Sequence, residues 1–346
     1  MKVFTDFHHG DLYFSLHRLF ETRLGWELYR PIGLDWFQKG FWKIAEPYGN
    51  ALDTVHQYLD INQKGWHAYK NLNGQHYVQD DIYFAWDPGH QFYHKAITFE
   101  HFCDMSFDII LSTYQPHDQP FLLLRDQYQP QAKLMAQLGN VGQRTSIKYV
   151  IHSVPFPPTS VQDVIYYHQE IDPDQYFYVP PDSQTKNVFS MVNCLPRATI
   201  FNTYKSLLSE VDMRAYGASC PQGPLSGSQG VAKYMQLANL GWHIKPLDGF
   251  GHTAMGWFAS GRPVITQMSD VFVFGGEAPK LFIPGVTCLN LEAASIAENC
   301  RLIRRMLEPE ENLHWSQKVL AQFDKVINYD VEAEQIKQLL ERMLNE

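Results

Sequence analysis

The hydrophobic pattern of this chain switches repeatedly between a two-residue and a helical period, which predicts strands and helices in alternation. "MKVFTDF" predicts a first strand and "HHGD" the turn after it. In "LYFSLHRLFETRLG", Leu12, Leu16, Leu19 and Phe20 recur at helical spacing, and Gly25 follows the helix end. "WELYRPIG" predicts a second strand, so the chain opens as an α/β unit with parallel strands. "FDIILST" (Phe107–Thr113) is a short apolar run of the kind buried on both faces of a sheet. "QPQAKLMAQLGN" then predicts a helix ending at Gly139, and "SIKYVIHSVP" another strand. The Pro/Asp/Ser/Asn-rich stretch "VPPDSQTKN" (Val179–Asn187) is the best linker candidate.

After that linker the pattern restarts. Strand "VFSMVNCL", a helix from Pro196 through "ATIFNTYKSLL" and strand "DMRAYGA" lead into the Gly/Ser-rich loop "PQGPLSGSQG". Helix "VAKYMQLANLG" and the strands "WHIKPL", "PVITQ" and "TCLNL" follow, then two helices broken near Pro309 and a third from Asp330. The expectation is two α/β domains in series, residues 1–182 and 183–328, with a C-terminal helix over 329–346. A single large doubly wound sheet is the alternative. Residues 62–103, dense in Trp, Tyr and His, break the alternation and read as an insertion on the first domain.

Composition narrows the function classes. With 346 residues and 45% hydrophobic positions, the chain is long and apolar enough for two globular domains. The net charge of −9 sits mostly in residues 1–180, which hold 13 Lys+Arg against 20 Asp+Glu. That balance disfavours a broad basic face for nucleic acid, although Lys64, Lys70, Lys95, Arg125 and Lys133 could line a local groove. The five cysteines form no C-x-x-C pair, so neither a disulfide framework nor a structural zinc site is expected. No apolar run reaches the roughly 18 residues of a membrane span. A cytoplasmic protein, monomer or homodimer, is the expectation.

The stretch "DGFGHTAMGWFASGRPVI" (Asp248–Ile265) places Asp248, Gly249, Phe250 and Gly251 at the front of a helix. A helix N-terminus leaves backbone N–H groups unpaired and carries partial positive charge, so it suits a phosphate. Glycines let the backbone approach closely. A ligand-free strand-to-helix turn explains the same glycines equally simply. The spelling resembles the donor-site signature of GT-B glycosyltransferases, E-G-F-G-x-x-x-x-E-A-M-A-x-G-x-P-V-I, and most closely the retaining group of glycogen-synthase-like and mannosyltransferase enzymes. Gly249, Phe250, Gly251, Ala259, Gly261, Pro263, Val264 and Ile265 match it, and Asp248 replaces the first glutamate. Gly256 stands where the family has the glutamate that holds the donor ribose. The tail "IPGVTCLNLEAASIAENCRLIRRML" also resembles the family's ending.

The resemblance implies a GT-B fold: α/β, two Rossmann-like domains facing a cleft, with the C-terminal helix crossing back to the first domain. It implies transfer of a sugar from a nucleotide-diphosphate sugar, a UDP-sugar for preference, to a hydroxyl acceptor, without metal or resident cofactor. Donor contacts are expected from Asp248, Gly249, Phe250, Gly251, His252 and Thr253, with Arg197 and Lys205 facing the diphosphate. For either cation, a solvated helix face is the plain alternative. In the first domain the loops after strands supply His9, Asp11, His117 and His152 as catalytic candidates. If transfer inverts the anomeric centre, His9 and Asp11 suit a base and its orienter; if it retains, His117 and His152 would contact the sugar. Trp66, Tyr77, Trp86 and Tyr93 of the aromatic insertion could stack on an acceptor or form a satellite apolar cluster. The "DPD" at 172–174 has the D-x-D spacing of another glycosyltransferase fold, but its proline favours a turn. The acceptor stays open among glycan, small molecule and a hydroxymethylated DNA base. A non-catalytic nucleotide- or sugar-binding protein on the same scaffold is the competing function.

Overall fold

A computed structural model describes residues 1–5, 10–31, 76–87, 89–112, 118–139, 144–153, 158–192, 195–246, 251–274 and 278–346. The chain divides into two compact units: Met1–Glu170 with Tyr329–Glu346, and Ile171–Asn328.

The first unit is built on β1 (Lys2–Thr5), β2 (Glu27–Pro31), β3 (His76–Gln79), β4 (Ile82–Asp87), β5 (Phe92–Ile97), β6 (Ile109–Ser112), β7 (Lys133–Leu138), β8 (Tyr149–His152) and β9 (Asp163–Tyr166). They form one nine-stranded sheet in the order β3-β4-β5-β2-β1-β6-β7-β8-β9. Every pair from β5 to β9 is parallel; β3, β4 and β5 pair antiparallel. Side chains on a strand alternate between faces, and the burial follows. Val3, Leu28, Ile109, Leu111 and Ile151 pack under α1 (Gly10–His17), while Phe4, Tyr29, Ile110 and Val150 pack under α2 (Phe99–Asp104) and α3 (Asp118–Tyr128).

Lys133–Leu138 corrects the sequence expectation of a helix ending at Gly139. Lys, Leu, Met, Ala and Gln favour helix in isolation, yet this strand lies between β6 and β8 and is buried from Leu134 to Leu138. Burial on both faces overrides propensity. The helix of this αβ step precedes it, as α3.

The second unit holds β10 (Asn187–Ser190), β11 (Asp212–Ala215), β12 (Leu240–Trp242), β13 (Val264–Thr266) and β14 (Cys288–Asn290) in the order β11-β10-β12-β13-β14, all parallel. Its helices are α4 (Ala198–Leu207), α5 (Gly227–Leu237), α6 (His252–Ala259), α7 (Met268–Phe274), α8 (Ala278–Leu281), α9 (Ile296–Met306) and α10 (Pro309–Val326). Pro309 opens α10, where its missing N–H costs nothing. The "DPD" segment is a turn, with Asp174 N donating to Asp172 Oδ1 at 3.0 Å.

The last helix, α11 (Tyr329–Asn345), returns to the first sheet. Ala333, Ile336, Leu339, Leu340 and Met343 form its buried stripe, beside Leu16 and Phe20. Both passages of chain at the edge of the first unit are tied down by one short segment. Residues Arg18–Arg23 wind as a π-helix, with Leu24 N donating to Leu19 O. In an α-helix, residues five apart point about 140° from each other; i→i+5 winding brings them close to one direction. Arg18 and Arg23 therefore grip the same carboxylate. Arg18 Nε lies 3.0 Å from Glu170, and Arg23 reaches it through Nε at 2.8 Å and a terminal nitrogen at 2.9 Å. Arg23 also pairs with Asp330 and lies over the Tyr329 ring. Nearby, Glu332 accepts from both the backbone N–H and Nδ1 of His168 at 2.7 Å.

The Glu170 side chain is only 5% exposed, so Arg23→Ala leaves a buried carboxylate with one guanidinium instead of two. A loss of about 2–3 kcal/mol is expected, read as a lowered urea midpoint with the slope unchanged. The exposed Arg23–Asp330 side contributes little to that figure.

Candidate functional site

The carboxyl ends of the parallel strands in the second unit assemble the clearest site. The segment after β10 carries two non-glycine residues in the left-handed region, Leu195 (φ 41°) and Arg197 (φ 56°). Such conformations cost about 1–3 kcal/mol each and persist where surrounding contacts hold them. Arg197 is the N-cap residue of α4, and its side chain turns away from that helix. One terminal nitrogen donates to Asp270 Oδ1 at 2.9 Å, and the other donates to Gln267 Oε1. Gln267 follows β13 directly, and Asp270 lies in the first turn of α7. Strand β12 lies between β10 and β13. The guanidinium therefore passes above the end of β12, the strand whose outgoing chain leads to Gly251 and α6.

Helix α6, the next helix along the chain after β12, has Gly251 as its N-cap. Glycine has no side-chain oxygen to offer the first-turn N–H groups. His252 and Thr253 are the first helical residues, and both are partly exposed. Asp248, Gly249 and Phe250 lie outside the described residues. Lys205 occupies the last turn of α4 and is exposed, about 12 Å along the axis from Arg197.

Besides Gln267, three groups at this edge escaped the sequence reading. Asp270 is 4% exposed, and its Oδ2 has no hydrogen-bond partner. Burial pushes its carboxyl pKa up, and Arg197 opposes that shift. Glu292 caps the start of α7 through the Ser269 hydroxyl and N–H, and the Ser269 hydrogen bond holds its carboxyl below the usual range. His243, just past β12, is buried with Nδ1 unpartnered, and burial depresses its pKa to about 3. An acidic residue in the first turn after a strand was the available signal for Asp270. Gln267 and His243 carried none.

Gly256 has a packing explanation. A Cβ there would meet the Tyr176 ring at 2.8 Å and Met235 Sδ at 2.9 Å. The position faces protein, so an acidic side chain in the family's place would not fit. Gly256→Ala is expected to destabilise the protein by about 1–3 kcal/mol through overpacking, despite alanine's better helix propensity. Chemical denaturation reads this directly. Nearby Arg262 is also structural: fully buried, it donates to the carbonyls of Met235, Val179 and Gln236, and burial lowers its pKa to about 10.

In the first unit, Asp11 lies in the first turn of α1, with Oδ1 3.1 Å from Nε2 of His90 in the β4–β5 turn. His90 stacks on Phe14 at 4.5 Å. His9 and His117 lie outside the described residues. His152 ends β8, edge-on to the Tyr166 ring at 5.2 Å. Strands β1 and β8 are three strand spacings apart, about 14 Å, so Asp11 and His152 occupy different points of one edge. Trp66 also lies outside the described residues. Tyr77, Trp86 and Tyr93 do come together: Tyr93 sits 5.3 Å from Tyr77 and 4.9 Å from Trp86. Of the five cations suggested for a nucleic-acid groove, Lys64 and Lys70 lie outside the described residues. Lys95 pairs with Glu21 and Arg125 with Asp126; Lys133 begins β7. Among the described residues no group of His, Cys, Asp and Glu could hold a metal ion, and no helix is long and apolar enough to cross a membrane.

No protein-family model matches the chain, and no curated protein matches its sequence. Solved structures do match along nearly the whole length. Sucrose-phosphate synthase from Thermosynechococcus elongatus superposes with a TM-score of 0.60 at 13% identity, covering 100% of this chain and 99% of that one. A glycosyltransferase from Rickettsia africae gives 0.61 at 10% identity, covering 99% and 98%. The catalytic domain of starch synthase IV from Arabidopsis thaliana, bound to ADP and acarbose, gives 0.58 at 10% identity, covering 100% and 99%. Likeness at such identities establishes fold. The chain has the GT-B fold that its sequence signature implies, with a mostly parallel nine-stranded sheet, a parallel five-stranded sheet and the C-terminal helix on the first.

Proposed function

We propose that this protein is a nucleotide-sugar-dependent glycosyltransferase whose donor site is the carboxyl edge of β10, β12 and β13. The placement of Arg197 carries the reading. A strained backbone and two acceptors hold a guanidinium above the end of β12, and the next helix along the chain starts with glycine as its N-cap. A planar fork and backbone N–H groups suit a diphosphate, which gains negative charge as the sugar departs. Arg197, Gly251, His252 and Thr253 supply the grip, and Asp248, Gly249 and Phe250 complete it in sequence. Lys205, at the far end of α4, has no part in it. The ADP held by the starch synthase is consistent with a nucleoside diphosphate here, and a UDP-sugar is the first donor to test. Asp11 and His152 sit on the edge of the first unit where an acceptor hydroxyl would be met.

Mass spectrometry of reactions with mixed nucleotide sugars and hydroxyl acceptors tests this. The expected product is an acceptor heavier by one sugar residue. The missing acidic residue at Gly256 motivates a second reading, a nucleotide-binding protein without transfer. Nucleotide binding with no product from any donor would establish that one instead.

A further inference from the structure

The antiparallel part of the first sheet has two unlike faces. In β5, Phe92 and His94 point towards α1, where both rings pack against Tyr13. The opposite face carries Tyr77, Phe84, Trp86 and Tyr93. The register sets Tyr77 opposite Phe84 and Trp86 opposite Tyr93. Tyr77 and Phe84 stack with centroids 4.6 Å apart and planes 3° off parallel. Further along the same face, Tyr29 and Ile97 belong to the core covered by α2 and α3. Beyond that cover Tyr77 and Tyr93 are 47% and 41% exposed.

Four neighbouring rings on the edge of a sheet form an apolar patch with a reason to exist. Its border selects among ligands. The β3–β4 turn ends in Asp80 and Asp81, both exposed and both at positive φ, 52° and 61°. Lys95, on the same face, donates to Glu21 at 2.8 Å. Among the described residues the border is thus acidic, which repels nucleic acid and other polyanions. Phenol hydroxyls and carboxylates beside flat rings match a neutral sugar chain, whose C–H faces stack and whose hydroxyls take hydrogen bonds.

We propose that this aromatic face is a carbohydrate-holding surface, separate from the donor site, that tethers a neutral polysaccharide acceptor. The tethering role rests on the glycosyltransferase reading. Holding a polymer beside the enzyme raises the effective concentration of its reactive ends without adding a contact at the reaction centre.

Electrophoresis of the full chain through gels containing dextran, soluble starch or xylan tests the proposal. At least one polymer is expected to retard the wild type. Tyr77→Ala with Tyr93→Ala is expected to weaken that retardation at least about tenfold. Val78→Ser, exposed on the other face of β3, controls for disturbance of the strand and is expected to migrate like wild type. Retardation by none of the polymers, equal retardation of the double variant, or retention by duplex DNA alone would overturn the proposal. UDP titration of the same preparations separates the two claims. Polymer retention without nucleotide binding leaves the surface standing and removes its acceptor role.

Discussion

Arg197→Ala is expected to weaken nucleoside diphosphate binding at least about tenfold, and to remove sugar transfer with it. A hydrogen bond to a charged group contributes about 1.5–3 kcal/mol, and the Arg197 side chain, 37% exposed, would serve two partners. In the proposed site it would offer its fork to the diphosphate, and it pairs with Asp270, whose side chain is 6% exposed. The variant therefore loses the cation and also leaves an uncompensated carboxylate facing an anionic ligand. Arg197→Lys keeps the charge but loses the planar fork. It is expected to fall between wild type and alanine, with nucleoside monophosphates affected less than diphosphates. Calorimetric titration with UDP and UMP on the three proteins reads the series. Equal UDP affinity for wild type and Arg197→Ala would remove Arg197 from the site.

Acidification is expected to destabilise the first unit before the second. His17, His94 and His243 are neutral in the folded protein because burial depresses their pKa values to about 4, 3 and 3. In the unfolded chain each titrates near 6.5. The stability they confer is present above that value and is lost as pH falls towards the folded values, because only the unfolded chain takes up the protons. From about pH 7 to about pH 5 the loss is on the order of 2 kcal/mol per imidazole. Two of the three sit in the first unit, so it loses on the order of 4 kcal/mol and the second unit about half that. Asp270 adds to the contrast: its raised pKa makes its buried charge less costly as pH falls. Urea unfolding monitored separately in the two units across this range checks the order. His94→Asn, which removes one titrating group, is expected to flatten the dependence for the first unit. A flat profile in both units would contradict the burial of these neutral imidazoles.

Much of the architecture is legible in the sequence because it depends on local pattern. The period switches give the order of elements, and Pro309 and the Asp330 start separate the last helices. The failures are informative. Lys133–Leu138 reads as helix because its residues favour helix, and only its place between β6 and β8 makes it a strand. The π-turn at Arg18–Arg23 has no pattern of its own; its reason is Glu170, far along the chain. Gly256 looks like a lost ribose anchor until Tyr176 is seen against it. Arg197 is legible as a basic residue at a strand-to-helix turn, but its partners Gln267 and Asp270 follow a different strand. Likewise the His90 ring beside Asp11 comes from the β4–β5 turn, 79 residues along the chain. Long-range pairing decides the chemistry in each case, and a single sequence does not encode it as pattern.

The central claim is that the carboxyl edge of the second sheet binds a nucleoside diphosphate. Hydrogen exchange with and without saturating nucleoside diphosphate, run with UDP, ADP, GDP and dTDP in turn, tests it most directly. At least one of them is expected to slow exchange at residues 195–198 and 251–255 together, with the rest of the second sheet unchanged. Unaltered exchange at both segments with all four, or protection confined to the first unit, would contradict it.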